Sequence, residues 1–371
     1  MAAVVLLAGA SLSTALRADD VTSSEYNPIV TSVPSLSIAP DATATGMGDA
    51  AVATAPTTTS QYWNPSKYAQ MSSTAGFSLS FTPWLRKLVS DIDLASLYGY
   101  YKIGDRQAIS ASLRYFSLGD VIVRESLGDA GYSVRPYEFA VDAAYSRMLS
   151  RYFSMSVALR FIYSDLMSGD DPAGKSFAAD ISGYYKKPLY IGRNEGFWAF
   201  GFNASNIGTK ISYDSGNNYY FIPTDLRIGG AVKLPFNAYN ALTIALDFDK
   251  LMVPTPSTRE QYEFQDVSSI EGIFRSFTDA PGGFSEELQE INMSLGLEYA
   301  YDDMFFVRTG YHHESENKGN RKYFTFGAGF KMSMFNIDVS YLVSASQSNP
   351  LDQTLRFTLG FDIDGLRKLF K

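Results

Sequence analysis

Two short stretches of this 371-residue chain carry residue types that could do chemistry. Gly169-Asp170-Asp171-Pro172-Ala173-Gly174-Lys175-Ser176 matches the GxxxxGK[ST] pattern of a phosphate-binding loop. That motif works only when a helix follows, because the helix N-terminus meets the phosphates. Here Ser176–Tyr185 alternates as a strand, and Asp170 and Asp171 would repel an anion. We read the match as a coincidence in an outer loop. His312-His313 are the only histidines. Adjacent residues on a strand point to opposite faces, so this pair cannot readily hold one metal ion. The same scarcity argues against a Ser-His hydrolase, which would need one of the two as its base. With no Cys, disulfides and thiolate metal sites are excluded. The reading is of a non-enzymatic chain with no catalytic, metal-binding or cofactor-binding residues.

A third stretch, the long loop 251–289, points to binding rather than catalysis. It holds seven acids (Glu260, Glu263, Asp266, Glu271, Asp279, Glu286, Glu287) against Arg259 and Arg275. That net charge of -5 is most of the chain's -8. Ser268-x-x-Glu271 is a capping box. Ile270, Ile273, Phe274 and Phe277 then follow at i, i+3, i+4 and i+7, one face of a helix. Asp279-Ala280-Pro281-Gly282-Gly283 breaks the chain. Ser285 can cap a second short helix with Glu286 and Glu287 in its first turn, where the dipole favours acids. An Ile/Phe face is costly in water, so it must pack on the rim or dock a partner. Candidate partner-binding residues are Tyr219, Tyr220, Phe221, Ile270, Ile273, Phe274, Phe277 and Phe284. The aromatic ones are typical interface anchors.

Composition limits the elements that can present such loops. The chain is 46% hydrophobic, 15% aromatic and 19% charged, with mean hydropathy -0.09. No run reaches the ~18 consecutive apolar residues of a membrane-spanning helix. The 26 Phe, 25 Tyr and 3 Trp exclude intrinsic disorder. An acidic chain without a basic tract is a poor nucleic-acid binder.

Period-two alternation runs from Thr74 onward. Phe77, Leu79 and Phe81 alternate with Ser78 and Ser80, and Leu355, Phe357, Leu359 and Phe361 alternate with Arg356 and Thr358. Fourteen such segments fall near 74–82, 91–102, 106–117, 136–148, 152–164, 175–187, 196–205, 224–234, 240–250, 290–301, 304–313, 321–332, 334–345 and 353–363. Most have the ~9–11 residues of a tilted transmembrane strand. Long connections (118–135, 165–174, 206–223, 251–289) alternate with short ones, except for a moderately long turn at 188–195. This is the pattern of outer loops and periplasmic turns. The expected fold is all-β: a 14-stranded transmembrane antiparallel barrel with both termini periplasmic. Its polar faces carry Asp142, Arg160, Asp180, Asp247, Asp249, Arg308, Lys331, Asp338 and Arg356, which would line a lumen. Fourteen strands lie between the ~8 that side chains fill and the ~16 that leave a channel, so something should occupy the lumen.

Residues 1–18 read as a secretory signal peptide, 19–73 as a lumenal plug or hatch, 74–363 as the barrel and 364–371 as a periplasmic tail. A short helix is expected near Met47–Thr54. Hatch candidates are Gly46, Gly48, Trp63, Asn64 and Pro65. The Gly-x-Gly-x-Ala stretch followed by Asn64-Pro65-Ser66 resembles the hatch of FadL-type outer-membrane transporters. Trp63-Asn64-Pro65-Ser66-Lys67-Tyr68, 276–287 (SFTDAPGGFSEE) and 318–325 (KGNRKYFT) make the chain similar to the PorV (LptO) family of the type IX secretion system. The resemblance covers nearly the whole mature chain. It implies an outer-membrane barrel without chemistry of its own, which binds the C-terminal domain of secreted cargo at its extracellular face. It further implies work with a large translocon barrel and with a surface sortase that attaches cargo to lipopolysaccharide. The alternative is a FadL-like channel for hydrophobic small molecules.

Overall fold

The computed structural model describes residues 26–85, 91–124, 131–166, 172–257, 264–345 and 353–365. The signal-peptide reading, residues 19–25 of the hatch, Gly169-Asp170-Asp171 of the phosphate-loop match, Arg259, Glu260 and Glu263 of the acidic loop, and 366–371 of the tail lie outside these residues. Fourteen strands close into one antiparallel barrel: β1 (Ala75–Pro83), β2 (Asp93–Ile103), β3 (Gln107–Ser117), β6 (Tyr137–Met148), β7 (Phe153–Asp165), β8 (Gly174–Ile191), β9 (Asn194–Gly208), β10 (Asp225–Pro235), β11 (Asn240–Leu251), β12 (Asn292–Tyr301), β13 (Phe305–His313), β14 (Lys322–Met332), β15 (Phe335–Ser344) and β16 (Leu355–Asp362). The ring closes where β1 pairs with β16, from Gly76 opposite Asp362 to Phe81 opposite Phe357. Two further strands, β4 (Val121–Val123) and β5 (Tyr132–Val134), form a separate hairpin in the β3–β6 loop.

The barrel is inverted relative to a water-soluble protein. Leu79 is 51% exposed and Leu159 68%, while the inward neighbours Ser80 and Asp180 are 1% exposed. Pleating sends alternate side chains to opposite faces, so an apolar exterior forces a polar interior. Such an exterior is stable only against lipid. Tyr185 packs on Trp198 near the short turns, and Tyr311 packs on Phe324 near the long loops, with ring centroids 5.0 and 4.9 Å apart. Aromatic girdles of this kind mark the two membrane interfaces. Among the described residues, no helix is long and apolar enough to cross a membrane.

Three expectations change. The turn expected at 188–195 is taken up by the ladder, because β8 and β9 pair down to Ile191 and Asn194 and reverse at Gly192, whose φ is +63°. Gly tolerates that conformation, so two residues suffice for the hairpin. Lys331 lies on the lumenal row but is exposed at the open mouth, next to the turn into β15. The barrel strands do begin and end at the short-turn side. Residues 26–32, however, lie at the opposite, outer rim.

Candidate functional site: the lumenal segment and the outer rim

Residues 26–74 run through the barrel from its long-loop end to its short-turn end. At the top, the Asn27 N–H donates to the Asn317 carbonyl (2.8 Å) and the Ser32 N–H to the Phe221 carbonyl (2.8 Å). The Asn27 amide also donates to the Pro256 carbonyl and to Glu286, both at 3.1 Å. Deeper, Val33 and Leu36 pack on Ala140, Ile162, Ala178, Ile211 and Ile222. At the bottom, the Thr74 N–H donates to Asp364 (2.6 Å) and Lys102 donates to the Met71 carbonyl (2.7 Å).

Between these ends the segment has little helix, so the barrel wall supplies hydrogen-bond partners. Asp247 of β11 accepts the backbone N–H groups of Ala51 (2.6 Å) and Val52 (2.7 Å). Gln61 donates to Asp142 (2.5 Å) and accepts from Ser110 (2.6 Å). Arg114 donates to the Ser35 carbonyl (2.5 Å). The helix expected near Met47–Thr54 is instead α1 (Ala42–Thr45), capped by Asp41, which accepts the Ala44 N–H at 3.0 Å. Gly48 and Asp49 then adopt φ of +66° and +69°, which ends helical geometry before Ala50. Asp41 also accepts Trp63 Nε1–H at 2.5 Å, joining α1 to α2 (Ser60–Trp63).

The small and rigid residues of the segment lie where the wall is closest. A Cβ on Gly48 would sit 2.6 Å from the Tyr311 nitrogen, and one on Gly46 3.2 Å from the Gly327 Cα. Asn64 donates to the carbonyls of Val52 (2.9 Å) and Gly183 (3.0 Å), and its own oxygen caps the 3₁₀ turn Pro65–Gln70. Lys67 is buried and donates to the Ala51 carbonyl (2.9 Å). The wall adds a buried guanidinium, Arg160, held by Asp142 (3.2 Å) and Asp180 (2.8 Å). A lumenal gap beside Arg114, Asp142 and Arg160 measures ≈ 10 Å³, about the room one water needs.

Above the lumen, the loop after β11 forms α3 (Ser269–Arg275) and α4 (Phe284–Gln289). Ser268 caps α3 by accepting the Glu271 N–H (3.2 Å). Gly272 rests on the ring of Phe221, where a Cβ would meet carbon at 2.7 Å. That contact turns the apolar face outward: Ile270 is 67% exposed and Phe274 74%, while Phe277, expected on the same helical face, lies in the turn after α3 and is 44% exposed. The cap of α4 is Gly283, not Ser285. Gly283 has φ +66°, and the acids reach back instead: Glu286 accepts the Gly282 N–H (2.7 Å) and Glu287 the Ala280 N–H (2.9 Å). Lys318 bridges Glu286 (2.5 Å) and Glu290 (3.1 Å), while Lys250 pairs with Glu287 (3.1 Å) and with Glu290. Burial disfavours the Glu286 charge, but Lys318 and the Gly282 N–H outweigh it and hold the carboxyl below its ordinary value. Asp279 behaves oppositely. Burial and the Glu287 charge raise it to about 6, although it accepts the Thr255 N–H.

The family of the type IX secretion system protein PorV matches residues 21–258, well over half of the chain. The chain belongs to the PorV family. It is a type IX secretion-system component of the outer membrane. No curated protein sequence matches it. The Pseudomonas putida toluene transporter TodX is similar at TM-score 0.51 and 10% identity, covering 91% of this chain and 99% of that one. The TodX deltaS2S3 mutant, a monoaromatic hydrocarbon channel, gives TM-score 0.52 and 12% identity, covering 86% and 98%. At such identities the likeness shows the barrel fold alone.

The candidate residues singled out from sequence divide between rim and lumen. Gly46, Gly48, Trp63, Asn64 and Pro65 are all inside the barrel. At the rim, Tyr219 is exposed, Tyr220 pairs with Ile211 and Phe221 is buried beneath α3 beside Phe264. Phe221 is thus a support for α3, and Ile273 is half-buried. His312 is buried with Nδ1 on Ser294 (2.9 Å), and His313 lies on the other face beside Tyr311. Ser176 sits within β8, with no helix following the phosphate-loop match. Sequence reading missed Asn27 as a rim anchor and Asp247 as the acceptor for the lumenal segment. Alternation places Asp247 on the lumenal face but does not say what it holds, and nothing local marks Asn27. The apolar spacing Phe284, Leu288, Ile291 was present in the sequence and signals a face on α4.

Proposed function

We propose that this chain receives secreted cargo at the cell surface. It binds the cargo's C-terminal domain on its outer rim and passes it to the surface sortase, next to a large translocon barrel. The observation carrying the proposal is the open apolar face of α3. Ile270 and Phe274 project from a helix pinned to the rim by Phe221, with Phe277 exposed in the turn that follows, and a docking partner would cover all three. Tyr219 stands exposed on the neighbouring loop and extends the same rim. Residues 26–73 act as a plug in this reading, since they fill the lumen with well-partnered polar groups. The alternative, a channel for hydrophobic small molecules, needs a path of ligand size. Ligand pockets generally measure ~300 Å³ or more, so the segment would have to move out.

The test is a pair of phenotypes. The double variant I270S/F274S, checked for barrel assembly, is expected to lose most surface display of cargo while leaving fatty-acid uptake unchanged. Normal display with reduced uptake would reject cargo reception in favour of the channel.

A further inference from the structure

We infer that α4 is an interfacial element, with its outer face seated in the outer leaflet of the membrane. The helix is inverted in the same sense as the strands. Glu286, Glu287 and Glu290 are 1%, 7% and 4% exposed, whereas Phe284 is 77% and Leu288 53% exposed. A six-residue helix in water would place these groups the other way round. Lys250 and Lys318 offset two of the three inward charges, and hydrogen bonds from Asn27, Gly282, Ala280 and Thr255 satisfy the carboxylate oxygens further.

The exposed face continues an interface already present. Phe284 and Leu288, at i and i+4, share one side of α4, and Ile291, just past the helix end, is exposed as well. Beyond Ile291, the outward row of β12 continues through Leu295, Leu297 and Tyr299, all exposed to lipid. On β11, Lys250 follows the outward residues Leu246 and Phe248, and this lysine holds Glu287 at 3.1 Å. The helix therefore lies over the outer ends of lipid-facing rows and not over the mouth of the barrel. Height agrees with this. From Tyr301 to Ile291 the chain climbs ten residues (301 − 291), which at ~3.3 Å each and a ~40° tilt is roughly 25 Å, the usual height of the apolar band. The headgroup boundary, where short amphipathic elements settle, begins there. On α3 the apolar face belongs instead to a helix whose Gly272 rests on Phe221 and Pro254.

The absence of Cys makes the test direct. The full barrel is reconstituted into phosphatidylcholine vesicles with one nitroxide label at a time, at F284C, L288C, L295C, I270C or N217C. The oxygen-to-nickel accessibility ratio is then measured. Positions 284 and 288 are expected to resemble 295, several-fold above 217, with 270 on the aqueous side. Ratios at 284 and 288 equal to that at 217 would overturn the inference and return α4 to a protein-docking role. If F284C fails to assemble, L288C alone decides between the two outcomes. Position 270 reports separately on the face proposed to receive cargo.

Discussion

The carboxylate of Asp247, midway along β11, accepts the backbone N–H of Ala51 at 2.6 Å. Its same oxygen accepts the Val52 N–H at 2.7 Å, so one wall residue holds two consecutive amides of the lumenal segment. Asp247→Ala should leave both buried donors unsatisfied, at about 1–3 kcal/mol each. The expected result is faster amide exchange across 46–56 with strand protection unchanged. Unchanged exchange there would show that the segment is held elsewhere.

The path of the N-terminal segment predicts its accessibility. Val30 is 67% exposed at the outer rim, near the Asn27 and Ser32 contacts. In intact cells, a V30C variant should react with a membrane-impermeant maleimide, and R106C, at a short turn, should not. Protection of position 30 until the cells are lysed would contradict the threading.

Glycine 48 is required twice, by its positive φ and by its contact with the wall. Gly48→Ala would bring a methyl to 2.6 Å from the Tyr311 nitrogen in a left-handed backbone. A cost above about 3 kcal/mol is expected from combined strain and clash. The folded fraction, seen as the heat-modifiable band on unboiled gels, should fall sharply. Gly46→Ala, with its nearest atoms at 3.1 and 3.2 Å, should be milder.

The outer loop should loosen as pH rises through about 6. Asp279 has a raised value of about 6, so its protonated form favours the docked loop, and that contribution disappears above about pH 6. Glu286 is lowered, so its contribution is present at neutral pH and lost only as pH falls below the ordinary carboxylate range. Amide exchange over 276–291 should be slower at pH 5.5 than at pH 7.5 after correction for intrinsic rates. Asp279→Asn should abolish that difference.

The buried Arg160 should be costly to lose. It bridges Asp142 and Asp180, and Asp180 also accepts the Asn206 N–H (2.8 Å) at the one interruption of the β8–β9 ladder. Arg160→Met would strand two acids at about 3–5 kcal/mol. The temperature at which the band shifts on gels should drop clearly, and the double variant R160M/D180N should recover part of it.

The strands, their order and their two faces were legible in the sequence because pleating imposes a period of two and lipid demands an apolar side. Phe77, Leu79 and Phe81 announce their direction without any partner in view. The lumenal residues Gly46, Gly48, Trp63, Asn64 and Pro65 could be singled out as small or rigid, yet nothing local says that Gly48 meets Gly310 or that Asp247 takes two of their neighbours' amides. Those contacts join positions some 200 residues apart (247 − 51 = 196). The same holds at the rim. Spacing marked Ile270, Ile273, Phe274 and Phe277 as one helical face, but which way it turns depends on Gly272 meeting Phe221 from another loop. Ser285 looked like the cap of α4 until the Gly283 conformation and the reach of Glu286 and Glu287 took that role. Alternation is a local property and reads directly. The direction of the lumenal segment, and the burial of three glutamates beneath an apolar helix face, depend on which distant charges the closed barrel brings within hydrogen-bonding distance.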